Sequence, residues 1–265
     1  MPNLNLNEIC LKVTAIAKDA GGFIRQESRN FDRNRIEHKG ASDLVSYVDK
    51  ETEKKLVAAL SQLFPEAGFI TEESTVKQED KEYKWVIDPL DGTTNFLHGM
   101  PPFSISIALI RNREVLAGVV YEVNLDECFY AWKNGGAWLN GKPIKVSPVT
   151  SLKDSLLAIG FPYSQLNKSD HHFKALQKLQ NVSHGIRRLG SAAVDLSYVA
   201  CGRVEGYYEF NLKIWDIAAG LLIVKEAGGE ISDFSGGDDC LDGKELLATG
   251  KIKNELLAVI QEFWI

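Results

Sequence analysis

The 265-residue sequence is poor in cysteine, with four, at positions 10, 128, 201 and 240. None forms a Cys-x-x-Cys pair, which argues against a zinc ribbon or a dithiol redox motif. Nothing calls for an oxidising compartment. Cys10 and Cys201 stand among apolar residues at helical spacing and read as small core side chains. Histidine is scarce too: the five, at 38, 98, 171, 172 and 184, show no His-Glu-x-x-His spacing. The pair His171-His172 reads as part of a helix face. No apolar run approaches the roughly 18 residues of a membrane span. The N-terminal stretch lacks the basic start and unbroken apolar segment of a secretory signal, so the expected location is cytoplasmic. No Gly-Lys pair is followed by Ser or Thr, so there is no P-loop. Positive charge is not in excess: 30 Lys and Arg stand against 36 Asp and Glu, a net charge of −6. That balance disfavours nucleic-acid binding by bulk charge. Internal repeats, low-complexity tracts and linkers are also missing.

What is present is an ordinary globular composition, 45% hydrophobic and 25% charged. A chain of this length buries roughly 70–75% of its unfolded surface, so it needs no disulfide or structural metal in order to fold. One body over residues 1–265 is expected, with a soft internal division near residue 150.

The local pattern predicts an α/β chain. Leu6, Ile9, Cys10, Val13, Ile16, Ala17 and Ala20 lie on one face of a first helix, and Gly21-Gly22 is expected to loosen its end. The charged segment 30–43 reads as a mobile loop. A second helix is expected over 49–64, stopped by Pro65. Short apolar runs at 68–71 and 85–87 read as buried strands that open onto Glu72-Glu73 and Asp88. The runs 104–111 and 114–121 form a hairpin, with further strands at 127–133 and 142–146. Beyond residue 150, strands are expected at 155–159, 206–210 and 246–249. Helices are expected at 170–179, 191–201, 215–227 and 254–263.

Chemistry concentrates in acids at the ends of apolar runs, where ligand sites of open α/β sheets lie. The strongest signal is Trp85-Val86-Ile87-Asp88-Pro89-Leu90-Asp91-Gly92-Thr93-Thr94-Asn95-Phe96. Pro89 removes a backbone donor and stiffens the strand exit. Asp91-Gly92-Thr93-Thr94 is expected to open a helix whose free N–H groups suit an anion. Asp216 begins another helix, and Glu72 or Glu73 ends another strand. Taken singly, Asp88 and Asp91 also read as a turn and a helix cap, and Asp216 as a cap. Together, converging carboxylates in a dry cleft would repel unless cations offset them. Oxygen-only donors select Mg²⁺, Mn²⁺ or Ca²⁺ over zinc. An aspartyl-phosphate mechanism would need Asp two positions before Asp91, where Pro89 stands. An EF-hand starting at Asp238 fails, because Cys240 and Thr249 occupy ligand positions.

These motifs resemble the inositol monophosphatase family of metal-dependent, lithium-sensitive phosphatases. The matching pieces are Thr71-Glu72-Glu73-Ser74, the run 88–96, and Trp215-Asp216-Ile217-Ala218-Ala219-Gly220 continuing to Glu226-Ala227-Gly228-Gly229. Weaker matches are Lys39, the stretch from Asp43 to Asp49, Gly190-Ser191-Ala192, and Glu209. The resemblance implies a layered αβαβα sandwich of the inositol monophosphatase and fructose-1,6-bisphosphatase type. Residues 1–149 would then carry the metal motifs and residues 150–265 the substrate recognition. It implies two to three Mg²⁺ ions, with Mn²⁺ a possible substitute and Ca²⁺ and Li⁺ inhibitory. Glu72, Asp88 and the carbonyl of Leu90 would hold the first ion, and Asp88, Asp91 and Asp216 the second. A third would lean on Glu72. Thr93 with Asp49 would orient and deprotonate the attacking water, with Lys39 near it. The amides of Gly92 and Thr93 would hold the phosphate.

Gly190, Ser191, Ala192 and Glu209 would contact the leaving group. Ser191 stands where the family commonly carries Thr. Glu209 also reads as a surface acid, and aromatic residues in 160–167 as an entrance wall or as structure. The implied reaction is hydrolysis of inositol monophosphate. Broader activity on the 2′-phosphate of NADP or on fructose 1,6-bisphosphate is an alternative. A regulatory role on the same fold is another, since some members of the family act on transcription machinery. The expected partners are a small phosphorylated metabolite and a second copy in a homodimer, with no membrane or nucleic acid.

Overall fold

Seven α-helices and fourteen β-strands occur among the residues that the computed structural model describes, which are 4–31, 37–38, 44–161 and 169–264. Hydrophobic patterning sorts them into layers. Helix α1 (Leu6–Ser28) buries only one stripe, Cys10, Val13, Ala17, Ala20, Gly21 and Ile24. It therefore lies on an outer face. Helix α2 (Tyr47–Leu63) packs beside it, its first turn closed by a reciprocal bond pair between Ser46 and Asp49. The short pair β1 (Glu37–His38) and β2 (Leu44–Val45) is antiparallel.

Beneath α1 and α2 lies a seven-stranded sheet. It runs in chain order through β3 (Gly68–Thr71), β4 (Tyr83–Asp91), β5 (Ser104–Arg111), β6 (Glu114–Glu122), β7 (Glu127–Trp132), β8 (Ala137–Leu139) and β9 (Lys142–Ile144). Between β4 and β5 sits the short helix α3 (Thr93–His98). A second sheet of five strands has the order β11-β10-β12-β14-β13. Its members are β10 (Leu156–Ile159), β11 (Gly185–Arg187), β12 (Gly206–Phe210), β13 (Glu230–Ser232) and β14 (Glu245–Thr249).

Helices α5 (Ala192–Ala200) and α6 (Ile214–Glu226) fill the space between the sheets. They are apolar nearly all round: α6 is buried without a break from Ile217 to Val224. A helix of that kind belongs in a core. The packing is close enough to need a residue without a side chain, because a Cβ at Gly118 on β6 would lie 2.8 Å from the Ala219 carbonyl oxygen. Helices α4 (Ser169–Val182) and α7 (Lys253–Gln261) cover the outer face of the second sheet. The order is helix, sheet, helix, sheet, helix, which is the layered αβαβα sandwich that the family resemblance implies.

Several boundaries differ from expectation. Helix α1 runs through Gly21-Gly22 to Ser28, because Ile24 is wholly buried and Arg25 donates to the Tyr121 hydroxyl and the Val123 carbonyl. The segment 30–43 read as a loop contributes β1, which pairs with β2 just beyond it, while 32–36 and 39–43 lie outside the described residues. The three-residue strands β8, β11 and β13 were not expected. Cys10 is fully buried, whereas Cys201 is only partly so. No helix among the described residues is long and apolar enough to cross a membrane.

Candidate active site

Strand β4 delivers the acids by a change of register. Asp88 pairs with Ser106 on β5, and Asp91 pairs with Ser104. Three steps on β4 therefore oppose two on β5, so β4 holds one extra residue, a bulge. Without it, positions three apart would point to opposite faces. With it, Asp88 and Asp91 sit opposite two serines of a single face. That face looks toward the central helices: Ser106 donates to the Trp215 carbonyl at 3.0 Å, and Ser104 lies 3.2 Å from the Ser191 hydroxyl.

Asp88 is 2% exposed, and one of its oxygens accepts the Leu90 N–H at 2.9 Å. Burial first, then the charges of Glu72, Asp91 and Asp216, hold its carboxyl well above the usual range. Glu72 reaches this point because β3 runs parallel to β4 and its N–H bonds the Ile87 carbonyl one step past the strand. The neighbouring Glu73 N–H turns instead to Glu53 on α2. Of the two glutamates, Glu72 is thus the one coupled to Asp88.

Asp91 accepts the Ser191 hydroxyl at 2.6 Å and the Ala193 N–H at 2.8 Å. Burial pushes its carboxyl up to about 6 against those hydrogen bonds. Asp216 opens α6 and accepts the Lys213 N–H at 2.7 Å. Burial, with the Asp91 charge next, raises it to about 8. Glu209 at the end of β12 accepts the Tyr207 hydroxyl, and burial lifts it to about 7, so it is not a free surface acid.

Asp49 is wholly buried. One oxygen holds the Ser46 N–H and hydroxyl at 2.8 and 2.6 Å, and the other faces the Thr93 hydroxyl at 3.0 Å. Burial raises its carboxyl, opposed by the bonds from Ser46 and Thr93. The Thr93 hydroxyl also lies 2.9 Å from the Leu90 carbonyl. It has one proton for two acceptors, and its lone pairs remain for a donor from the cleft. Gly92 caps α3 with φ +90°, and a Cβ there would lie 3.0 Å from the Pro102 carbonyl and 3.2 Å from that of Gly190. The first-turn amides of α3 have no helical acceptor behind them.

Of the expected residues, Glu72, Asp88, Asp91 and Asp216 are electrostatically coupled, and Asp49 and Thr93 are hydrogen-bonded beside them. Gly190 and Glu209 lie close by. Ser191 is 1% exposed and its proton is committed to Asp91, while its oxygen caps α5 by accepting the Val194 N–H. Its link to the site therefore runs through Asp91. Lys39 lies outside the described residues, as do 162–168 of the expected entrance. Phe161 packs against His172 and Phe173 on the outer side of the second sheet, so it belongs to structure.

Three residues were not given roles by the sequence. Asn95 donates to the carbonyls of Pro102 and Leu189, both at 2.8 Å, and ties α3 to the loop before α5. Asp195 is buried, and one of its carboxyl oxygens has no hydrogen-bond partner among the described residues. Glu53 stands one helical turn from Asp49, a spacing that puts both on one face and was the available signal.

The site is rich in acid and made of oxygen donors. A phosphate would be repelled by bare carboxylates, and a hard cation would offset them. Among the described residues the acids do not form a ready-made cluster of three metal donors. Asp88, Asp91 and Asp216 each have one oxygen oriented by a backbone or hydroxyl donor.

Comparison with known proteins follows the same line. The model of the inositol monophosphatase family matches residues 6–264. The chain is 41% identical over 251 residues, 93% of each chain, to a Mesorhizobium japonicum protein named inositol-1-monophosphatase. It is 40% identical over 234 residues, 88% of each chain, to a Vibrio cholerae protein named Nus factor SuhB. The crystal structure of extragenic suppressor protein suhB from Bartonella henselae matches with a TM-score of 0.89 at 38% identity, covering 95% of this chain and 97% of that one.

Proposed function

The chain belongs to the inositol monophosphatase family, and from that premise we propose that it hydrolyses inositol monophosphate to inositol and phosphate with a water nucleophile and divalent cations, Mg²⁺ first. The observation that carries this reading is the register shift on β4, which sets Asp88 and Asp91 on the face toward the central helices, where Asp216 stands in the first turn of α6. The donor set fits such ions. Glu72, Asp88 and the Leu90 carbonyl would hold one, and Asp88, Asp91 and Asp216 another. Bound there, the ions would lower the pKa of water and offset charge on the phosphoryl oxygens.

The remaining steps fall to the chain. The Gly92 and Thr93 amides, at the start of α3, would hold the phosphoryl group. Thr93 accepts a hydrogen bond from the attacking water through its lone pairs and donates its own proton to Asp49, 3.0 Å away. The geometry supports this relay, because the other Asp49 oxygen is already taken by Ser46. Ser191 fixes which oxygen of Asp91 faces the cleft. Gly190, Ala192 and Glu209 border the place of the leaving alcohol, where the Glu209 carboxyl would accept from a sugar or inositol hydroxyl.

The test is phosphate release with Mg²⁺ on inositol 1-phosphate, fructose 1,6-bisphosphate, NADP and 3′-phosphoadenosine 5′-phosphate. A clear preference in kcat/KM for inositol 1-phosphate supports the reading. Equal or greater activity on NADP or the bisphosphate keeps the phosphatase and removes the substrate assignment. No release from any substrate favours a second reading, a regulatory role, for which the name of the Vibrio cholerae relative is the supporting observation.

A further inference from the structure

Helix α2 brings two wholly buried carboxylates to the site from one face, Asp49 and, one turn later, Glu53. The first serves Thr93. Among the described residues the second has no hydrogen bond to the proposed reacting groups, yet its hydrogen bonds are as short and as many. One oxygen of Glu53 accepts the Glu73 N–H at 2.7 Å. The other accepts both the N–H and the hydroxyl of Thr75, each at 2.7 Å. The chain between these donors has left the sheet. Its last ladder bond is from the Glu72 N–H to Ile87, a long 3.3 Å, and Ser74 then turns with φ +53°. The Glu53 carboxylate thus takes the place of the sheet for residues 73–75. It fixes the backbone immediately after Glu72.

We propose that Glu53 is a positioning residue for Glu72: by clamping the turn 73–75 it holds the Glu72 carboxylate toward Asp88 and so sets the affinity of the first cation site. This rests on the reading of Glu72 and Asp88 as cation ligands. A carboxylate is required because both of its oxygens accept. Glutamine would keep one acceptor and present an NH₂ group to the donors on the other side. Removing a partner that orients a ligand typically weakens metal affinity roughly 10–100-fold.

The experiment uses the full-length chain, stripped of metal, with Mn²⁺ as the probe. Mn²⁺ binding is followed by electron paramagnetic resonance, and hydrogen exchange of the 72–76 amides is measured in the same metal-free samples. Glu53→Gln should bind Mn²⁺ at least tenfold more weakly and exchange faster at Glu73 and Thr75. Its kcat at saturating metal should recover far more than its activity at low metal. Thr75→Val removes one of the three bonds and should show a smaller shift of the same kind, with Thr75→Ser restoring it. If Glu53→Gln fails to fold, Thr75→Val decides. Wild-type Mn²⁺ affinity in the folded variants, with faster exchange in the turn, would overturn the role of Glu53 alone and leave it a structural tie. Absence of Mn²⁺ binding by the wild-type chain would overturn the cation site itself, and the role of Glu53 with it.

Discussion

Replacing Ser191 by alanine removes one hydroxyl that serves two elements. Its proton goes to Asp91 at 2.6 Å, and its lone pair takes the Val194 N–H at 3.3 Å as the cap of α5. Loss of a hydrogen bond to a charged group costs about 1.5–3 kcal/mol. Loss of a helix cap costs about 0.5–2 kcal/mol. Both act through one oxygen, and Asp91 keeps the Ala193 N–H, so the terms do not add in full. The expected loss is about 3 kcal/mol. With a urea slope of about 3 kcal/mol/M for a chain of this size, the unfolding midpoint should fall by about 1 M. The assay is urea unfolding in EDTA, followed by tryptophan fluorescence and circular dichroism together. Ser191→Thr keeps the hydroxyl and should recover most of the loss. A second readout is the Mg²⁺ concentration for half-maximal phosphate release, which should rise because Asp91 loses its orientation. A midpoint within about 0.2 M of wild type, below 1 kcal/mol at that slope, together with an unchanged Mg²⁺ requirement would refute the reasoning.

Asp88→Asn should abolish phosphate release while leaving circular dichroism unchanged, because it removes a donor shared by both proposed cation sites; release at the wild-type rate would sink the metal assignment. Gly118→Ala should destabilise the chain by about 1–3 kcal/mol, since its methyl would meet the Ala219 backbone on α6; thermal unfolding with an unchanged Tm would show that sheet and helix separate freely. His172 is buried among the rings of Phe161, Phe173, Tyr208 and Phe210, neither ring nitrogen has a hydrogen-bond partner among the described residues, and burial lowers its pKa from 6.5 to about 4. The unfolded chain therefore binds the proton first. Its contribution to stability is full above about pH 6.5 and is lost as pH falls toward 4, by at most about 3 kcal/mol. His172→Phe should flatten that part of the stability-against-pH curve between pH 7 and 4, and equal slopes for both proteins would contradict the burial of a neutral ring.

Most elements were legible in the sequence because the relevant signals are local, whereas the order of the layers came from the family resemblance. A helix such as α6, apolar all round, has to lie inside, and strand ends with acids mark a sheet edge whatever their partners. The geometry of Asp88 and Asp91 was less legible. Their common orientation depends on a bulge defined against Ser104 and Ser106, and pairing register is not written in either strand alone. Ser191 was expected to meet substrate but bonds Asp91, a contact a hundred residues away that no window of sequence contains. Strands β8, β11 and β13 are three residues each, too short for alternation to register. Glu53 was given no role because the turn 73–75 that wraps onto it lies twenty residues away in the chain.

The bond between Asp91 and Ser191 joins a strand of the first sheet to the helix between the sheets. Asp216 comes from the other central helix. The acids that would receive the second cation therefore assemble only when distant parts of the chain have met, and non-local contacts of that kind form late in folding. A partly folded chain with only its first sheet in place would have Glu72, Asp88, Leu90 and Asp91 but no Asp216, and so no complete second receptor. Uptake of the second ion would then act as a proofreading event for the finished fold. It would stabilise that state alone, and mild damage anywhere in the second sheet would register first as a higher cation requirement, before any loss of secondary structure.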